Sequence, residues 1–323
     1  MMNRKNIKNK LQTILDRPGV YKMLDEKGNI LYIGKSIALK KRINSYLAKE
    51  IKRNNKIKQM LAWLWDVEVF YTDTELDALL LECKWIKAYR PLYNTALMQT
   101  ERYGYLILED GPHYRLRWSR TKLDKALRII GPLTHPSLSR QAEEFFKSQY
   151  PFMDCKIQEE ACAKVVFNKC QGYCKEAERK KRIEFIHELL SPGSSLPSML
   201  MKQIETYSEK WEFEKAQQFY GYLKSINYIR GIEQMTNKLC SQNVIGRLPI
   251  EGTLFYKYYL IINGSILYTK VGMLYEENEI IQALRAYKNS QQEKEIFNIH
   301  KENIDEIKIL YSFIERKMHR IEV

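Results

Sequence analysis

The chain has 323 residues, 45% of them hydrophobic and 28% charged, enough for two to four compact units of a soluble globular protein. No run of about 18 apolar residues occurs, and the basic start Met1-Met2-Asn3-Arg4-Lys5 lacks an apolar stretch, so membrane spans and secretion are not expected and a cytoplasmic protein is. The formal charge of +14 is uneven: residues 1–98 carry 19 Lys and Arg against 10 Asp and Glu, and Lys35 to Lys58 holds nine basic side chains and one acid, Glu50. A polyanionic partner explains that concentration, because each neutralised phosphate releases counterions; a solvated basic face is the alternative.

Residues 19–24 and 30–34 read as strands around the turn Asp25-Glu26-Lys27-Gly28-Asn29. Ser36 is placed to cap the next helix, whose apolar stripe is Leu39, Ile43 and Tyr46/Leu47; a second helix is expected over Ile57 to Trp65. Val67–Tyr71 alternates as a third strand. Thr74 with Asp77 forms a capping box for a helix reaching about Tyr89, which Arg90-Pro91 stops. The first hundred residues thus predict a small α/β unit on a three-stranded sheet.

Further along, Tyr103–Leu108 and Tyr114–Ser119 flank Asp110-Gly111-Pro112 as a hairpin, Gly131-Pro132 reads as a turn, and Ser139–Ser148 as a helix. A charged helix is expected from about Lys175 to Leu190, ending at the linker Ser191-Pro192-Gly193-Ser194-Ser195. Residues 197–231 read as two helices, the first marked by Met199, Ile204 and Tyr207, the second by Phe213, Ala216, Phe219, Leu223 and Ile226. So small a pair has little core of its own. Thr253–Ile262 and Ser265–Val271 flank Asn263-Gly264, the strongest hairpin signal in the chain, and two helices, about 276–288 and 302–318, complete it.

Hydrolysis of a phosphodiester needs an activated water, compensation of charge on the reacting phosphate, and a cation at the departing oxygen. The N-terminal unit offers each. Glu82 sits in Ala78-Leu79-Leu80-Leu81-Glu82-Cys83, where a carboxylate costs several kcal/mol unless paired or bound to a cation; the bland alternative is an ion pair with Lys84, Lys87 or Arg42. Arg42 and Tyr46 are four apart and share a helix face, from which a guanidinium can bridge phosphate oxygens. Tyr21 and Tyr32 lie on adjacent strands. A phenol with a pKa of about 10 is a poor base unless cations such as Lys35 and Arg42 stabilise its anion.

Taken together, Gly19-Val20-Tyr21 and Tyr32-Ile33-Gly34 resemble the two motifs of the GIY-YIG nuclease family. Within it, the run from Pro18 to Asn94 is similar to the N-terminal half of UvrC-type excinuclease subunits and their short homologue Cho. It holds Pro-Gly-Val-Tyr, Leu-Tyr-Ile-Gly-Lys, Lys-Arg-Ile-Asn-Ser-Tyr, Thr-Glu then Ala-Leu-Leu-Leu-Glu, and Pro-Leu-Tyr-Asn, in that order. The resemblance implies that Glu82 holds one divalent cation, Mg²⁺ or Mn²⁺, and that Tyr21 takes the proton of the attacking water, directly or with help from the cation. It implies that Tyr32, Lys35, Arg42 and Tyr46 orient the phosphate and that Asn94 fixes the geometry by hydrogen bonding.

Cys155, Cys162, Cys170 and Cys174 cluster within twenty residues, whereas Cys83 and Cys240 are isolated and read as ordinary buried thiols. Four thiolates suffice for zinc or an iron–sulfur cluster, and such a site is expected to be structural. The loop Cys170-Gln171-Gly172-Tyr173-Cys174 resembles its UvrC counterpart, which implies a 4Fe–4S cluster, with Zn²⁺ as the alternative. Trp211-Glu212-Phe213-Glu214-Lys215-Ala216 resembles the UVR motif, which implies that residues 197–232 contact a UvrB-like protein; packing within the chain is the alternative. The fold expected is α+β and multidomain: a GIY-YIG nuclease domain (1–98), a cysteine-cluster domain (99–190), a UVR-like helical hairpin (197–232) and a C-terminal α+β domain (240–323) without visible chemistry. After residue 240 no trio of acids falls in strands, so one incision per molecule is expected. The function implied is a metal-dependent DNA endonuclease of nucleotide excision repair, Cho-like, cutting on the 3′ side of a lesion. A GIY-YIG nuclease of mobile-element or phage DNA processing, or a non-catalytic DNA- or UvrB-binding module, are the other readings.

Overall fold

The computed structural model describes residues 4–47, 55–98, 100–109, 116–123, 126–149, 184, 186, 191, 193–290 and 299–321. The four clustered cysteines and most of the charged helix expected over 175–190 lie outside them. Two compact units are present, one of residues 1–99, 239–298 and 302–323, the other of 100–238 and 299–301. Among the described residues no helix is long and apolar enough to cross a membrane.

In the first unit, β1 (Gly19–Leu24) is the middle strand of an antiparallel sheet, with β2 (Ile30–Ser36) and β3 (Asp66–Tyr71) on its flanks. All six β1 residues are buried because helices cover both faces. On one face Tyr21 and Met23 pack with Ile7, Leu11, Ile43, Met60 and Leu61 from α1 (Arg4–Thr13), α2 (Leu39–Ser45) and α3 (Asn55–Trp63). On the other, Val20 and Ile33 meet Ala78 and Ile86 of α4 (Glu75–Tyr89). Each of the Val, Ile, Leu and Met side chains contributes about 1.5–3 kcal/mol on burial.

The expected capping box opens α4: the Thr74 hydroxyl accepts from the Asp77 amide while Asp77 accepts from the Thr74 amide. Arg90, left-handed at φ 47°, closes it with its N–H on Ile86 O at 2.9 Å. Ser36 does not cap α2. Its hydroxyl accepts from the Ala38 amide at 3.0 Å, two residues too early, and the N-cap position is Ala38.

The second unit holds β4 (Gly104–Glu109), β5 (Leu116–Ser119) and β6 (Ala126–Leu133) in the order β5-β4-β6, followed by α5 (Pro136–Gln149). Gly131-Pro132 lies inside β6 rather than in a turn. The strand is at the sheet edge, where a residue without an N–H leaves no ladder bond unmade. The expected helical pair is α6 (Leu196–Glu209) and α7 (Phe213–Ser241), the latter running ten residues past the expected end at 231. α7 packs within its own unit: the rings of Tyr222 and Phe145 are 5.3 Å apart, Tyr228 OH accepts from the Thr134 amide at 2.7 Å, and Glu233 pairs with Arg128 at 2.6 Å. Gly221 belongs to this contact, since a Cβ there would lie 3.3 Å from Gln141 Nε2. Trp211 and Phe213 stay outside it, 80% and 60% exposed. Cys240 is exposed near the end of α7, not buried as expected, whereas Cys83 is buried.

The chain then returns to the first unit with β7 (Val244–Pro249), β8 (Phe255–Ile262) and β9 (Ser265–Met273), joined through Asn263 and Gly264 at φ 49° and 77°. α8 (Glu277–Ser290) lays Ile280, Ile281 and Leu284 on Ile245, Tyr258 and Leu260; α9 (Ile304–Arg316) leads into β10 (His319–Ile321), giving the order β10-β7-β8-β9. This part grips α4 at both ends. Tyr259 OH lies 2.7 Å from the Thr74 hydroxyl and Lys257 pairs with Asp73 and Asp77 at 2.9 and 3.1 Å, while Lys87 pairs with Asp305 and Glu306 at 3.2 and 2.9 Å.

Candidate active site

Strand register places Tyr21 of β1 opposite Gly34 of β2. The phenol lies against the glycine: a Cβ on Gly34 would stand 2.4 Å from Tyr21 OH and 2.8 Å from Tyr32 Cε1. Only a residue without a side chain fits beneath the two rings, which is the steric content of Tyr32-Ile33-Gly34. Gly19 is fixed in the same way, because a Cβ there would meet Phe70 O of β3 at 2.2 Å.

α2, on that face of the sheet, brings Arg42 and Tyr46 to the same point. Tyr21 OH and Tyr46 OH share a 2.9 Å hydrogen bond, and Arg42 Nε donates to Tyr21 OH at 3.4 Å. The Arg42 guanidinium lies 5.3 Å from the Tyr46 ring centroid, and the Tyr32 ring is 6.1 Å from that of Tyr21. Burial, then the neighbouring phenols Tyr46 and Tyr32, push the Tyr21 hydroxyl well above the usual phenol range, and the Arg42 hydrogen bond only partly opposes them. At neutral pH the resting phenol is therefore protonated. Burial also raises Tyr32, with Tyr46 and Glu82 adding to it.

Glu82 reaches the sheet from α4. Its Oε1 accepts from the Lys35 backbone N–H at 2.8 Å, so the strand holds one carboxylate oxygen. The alternative partner Lys87 is engaged elsewhere, with Asp305 and Glu306. Burial pushes the Glu82 carboxyl up; the Lys35 amide and the positive charges of Lys35 and Arg42 oppose it. A half-buried carboxylate with that deficit is stabilised by a cation. Among the described residues no group of three or more His, Cys, Asp or Glu converges; Glu82 is the carboxylate beside the phenols, and so sparse a set of protein ligands would suit Mg²⁺, which keeps most of its waters.

Asn94 lies beneath β2 rather than among the phenols, its side-chain amide bonded to both backbone groups of Ile33. The Lys35 ammonium is turned to Glu75 Oε1 at 2.6 Å. The fold thus gathers Tyr21, Tyr32, Arg42 and Tyr46 into one cluster, ties Glu82 to its edge through Lys35, and uses Asn94 as a brace. Glu75 escaped the sequence reading except as part of Thr-Glu. The available signal is its spacing of seven from Glu82, two turns along one helix face.

A tyrosine pair from two strands, an arginine and tyrosine from the following helix and one glutamate from the opposite face define a GIY-YIG domain. Residues 17–95 match the family described as UvrC-like GIY-YIG domain, and this part of the chain is a domain of that kind. The UvrABC system protein C of Clostridioides difficile (strain 630) is 31% identical over 281 residues, which are 81% of this chain and 46% of the relative. That of Desulfitobacterium hafniense (strain Y51) is 29% identical over 272 residues, 82% of this chain and 44% of the relative. The chain spans about half the length of the curated relatives it matches. Among solved structures, the GIY-YIG N-terminal endonuclease domain of UvrC from Thermotoga maritima, bound to its catalytic magnesium, is 33% identical with a TM-score of 0.26; the match covers 29% of this chain and 100% of that one.

Proposed function

We propose that this chain is a metal-dependent DNA endonuclease of nucleotide excision repair, Cho-like, which makes a single incision on the 3′ side of a lesion. The observation that carries the reading is the convergence of Tyr21, Arg42 and Tyr46 within hydrogen-bond reach beside Glu82, on a unit holding most of the positive charge. Tyr32, Lys35, Arg42 and Tyr46 orient the phosphate and offset charge as it grows, where a fixed donor is worth about 2.7–4 kcal/mol. Tyr21 receives the proton of the attacking water, and its bond to Tyr46 offers that proton a way out. Because the resting phenol is protonated, Tyr21 acts as base only once bound cations have drawn its pKa down. A divalent ion held by Glu82, Mg²⁺ or Mn²⁺, would supply positive charge at the departing oxygen.

The remaining assignments belong to the same reading. Cys155, Cys162, Cys170 and Cys174 hold a structural 4Fe–4S cluster, with Zn²⁺ as the alternative. Residues 197–232 contact a UvrB-like protein, and the exposed pair Trp211 and Phe213 suits that contact. Incision of a duplex bearing one defined lesion, with and without a UvrB-like partner, tests the reading. Lesion-dependent cutting supports it, and equal cutting of undamaged DNA points to another DNA-processing role.

A further inference from the structure

The Lys35 ammonium, the one cation on β2 at the site, is held by a carboxylate that serves two masters. Glu75 Oε1 takes Lys35 Nζ at 2.6 Å, and Glu75 Oε2 takes Lys317 Nζ, also at 2.6 Å. Lys317 is the C-cap of α9, 242 residues away in sequence and within the same compact unit. Lys35 is thereby bound to α4 twice, by its backbone N–H to Glu82 and by its ammonium to Glu75.

We propose that Glu75 is a positioning residue of the nuclease site, and that Lys317 sets how tightly Glu75 holds Lys35. The inference rests on the nuclease reading above. With Lys317 on one oxygen, only the other is left for Lys35, a single hydrogen bond that an incoming phosphate can displace. Without Lys317 both oxygens and the whole negative charge fall to Lys35, and its ammonium stays on α4. Without Glu75 the ammonium is unanchored and its orientation is lost. Residues 240–323 thus reach the site through Lys317 as well as through their grip on α4.

Stability does not explain the arrangement. Lys35, Glu75 and Lys317 are 28%, 25% and 55% exposed, and ion pairs that solvent reaches add little to stability, so variants at these positions fold. Placement is the larger effect, since displacing a catalytic group by about 1 Å costs up to a hundredfold in rate.

Two readouts on the full chain test the relay. In single-turnover cutting of a lesion-bearing duplex with Mg²⁺, Glu75→Gln and Lys317→Ala each slow the chemical step about ten- to hundredfold with DNA affinity nearly unchanged. The double variant is no slower than Glu75→Gln alone, because Lys317 acts only through Glu75. In amine acylation read by peptide mass, which needs no activity, Lys35 labels faster in Glu75→Gln and more slowly in Lys317→Ala. Additive slowing, or Lys35 labelling unchanged in both single variants, overturns the relay. Failure of the unaltered chain to cut any duplex overturns the nuclease reading instead, and the labelling still decides the relay.

Discussion

Asn94 clasps Ile33 by both of its backbone groups: the Ile33 N–H donates to Asn94 Oδ1 and Asn94 Nδ2 donates to Ile33 O, each at 2.9 Å, with Asn94 buried. Ile33 stands between Tyr32 and Gly34, so the clasp holds the segment on which the Tyr21 phenol rests. Asn94→Ala leaves a donor and an acceptor without a partner, at about 1–3 kcal/mol each. Urea unfolding of the first unit should shift to lower denaturant, and cutting should fall further than the folded fraction does. Unchanged unfolding would remove Asn94 from its bracing role.

Gly34 supports a sharper prediction, because the obstruction is local. Gly34→Ala drives a methyl group into Tyr21 OH and the Tyr32 ring. Overpacking of this kind costs about 1–3 kcal/mol and displaces both phenols. Cutting should drop about a hundredfold with DNA affinity kept, as single-turnover rates and binding titrations would show. An Ala variant that cuts at the original rate would show that the phenols tolerate displacement.

The pH dependence follows from Glu82. Burial raises its carboxyl, so the protonated form persists above the usual carboxylate range and competes with a divalent ion. The acid limb of the cutting rate should therefore lie above that range and move to lower pH as Mg²⁺ increases. The same shift has a stability sign. With the native pKa above the unfolded one, the metal-free fold binds more protons than the unfolded chain, so stability falls as pH rises through the window between the two. Glu82→Gln should remove that fall in metal-free protein, leaving it more stable than the parent at neutral pH and equal to it below the unfolded carboxyl pKa. An acid limb indifferent to Mg²⁺ would separate Glu82 from the metal.

Lys87 gives a fourth outcome. It joins α4 to α9 through Asp305 and Glu306, with Lys87 16% and Asp305 8% exposed. Lys87→Met removes the ammonium between two acids and should destabilise the first unit by about 3–5 kcal/mol, the cost of breaking a buried pair. Thermal unfolding measures it. A loss within about 0.5 kcal/mol, typical of a surface substitution, would show that the pair does not hold α9 in place.

Much of this architecture is visible in local sequence. β1, β2 and α4 announce themselves by alternation, by the turn at Asp25–Asn29, and by Thr74 with Asp77, because those signals act within a few residues. β6 does not, since Gly131-Pro132 looks like an interruption until β4 pairs with one side of the strand only. α1 carries Ile7 and Leu11 at helical spacing, with Ile14 just past its end, a pattern obscured by the lysines between them. At the site, residue identities were legible and their partners were not. Lys35 reads as a cation for phosphate, yet its ammonium is held by Glu75, forty residues on, and Glu75 in turn by Lys317. Such distances leave no local trace. The phenol state of Tyr21 is likewise set by burial among Tyr32 and Tyr46 rather than by its motif.

The most direct measurement is single-turnover incision of a lesion-bearing duplex by the full chain with and without Mg²⁺, beside Glu82→Gln. Cutting that needs the ion, disappears in Glu82→Gln and leaves DNA affinity intact is the result expected. Cutting by Glu82→Gln at the parental rate, or by the parent protein in chelator, would contradict the assignment of Glu82 as the metal-holding carboxylate of a nuclease.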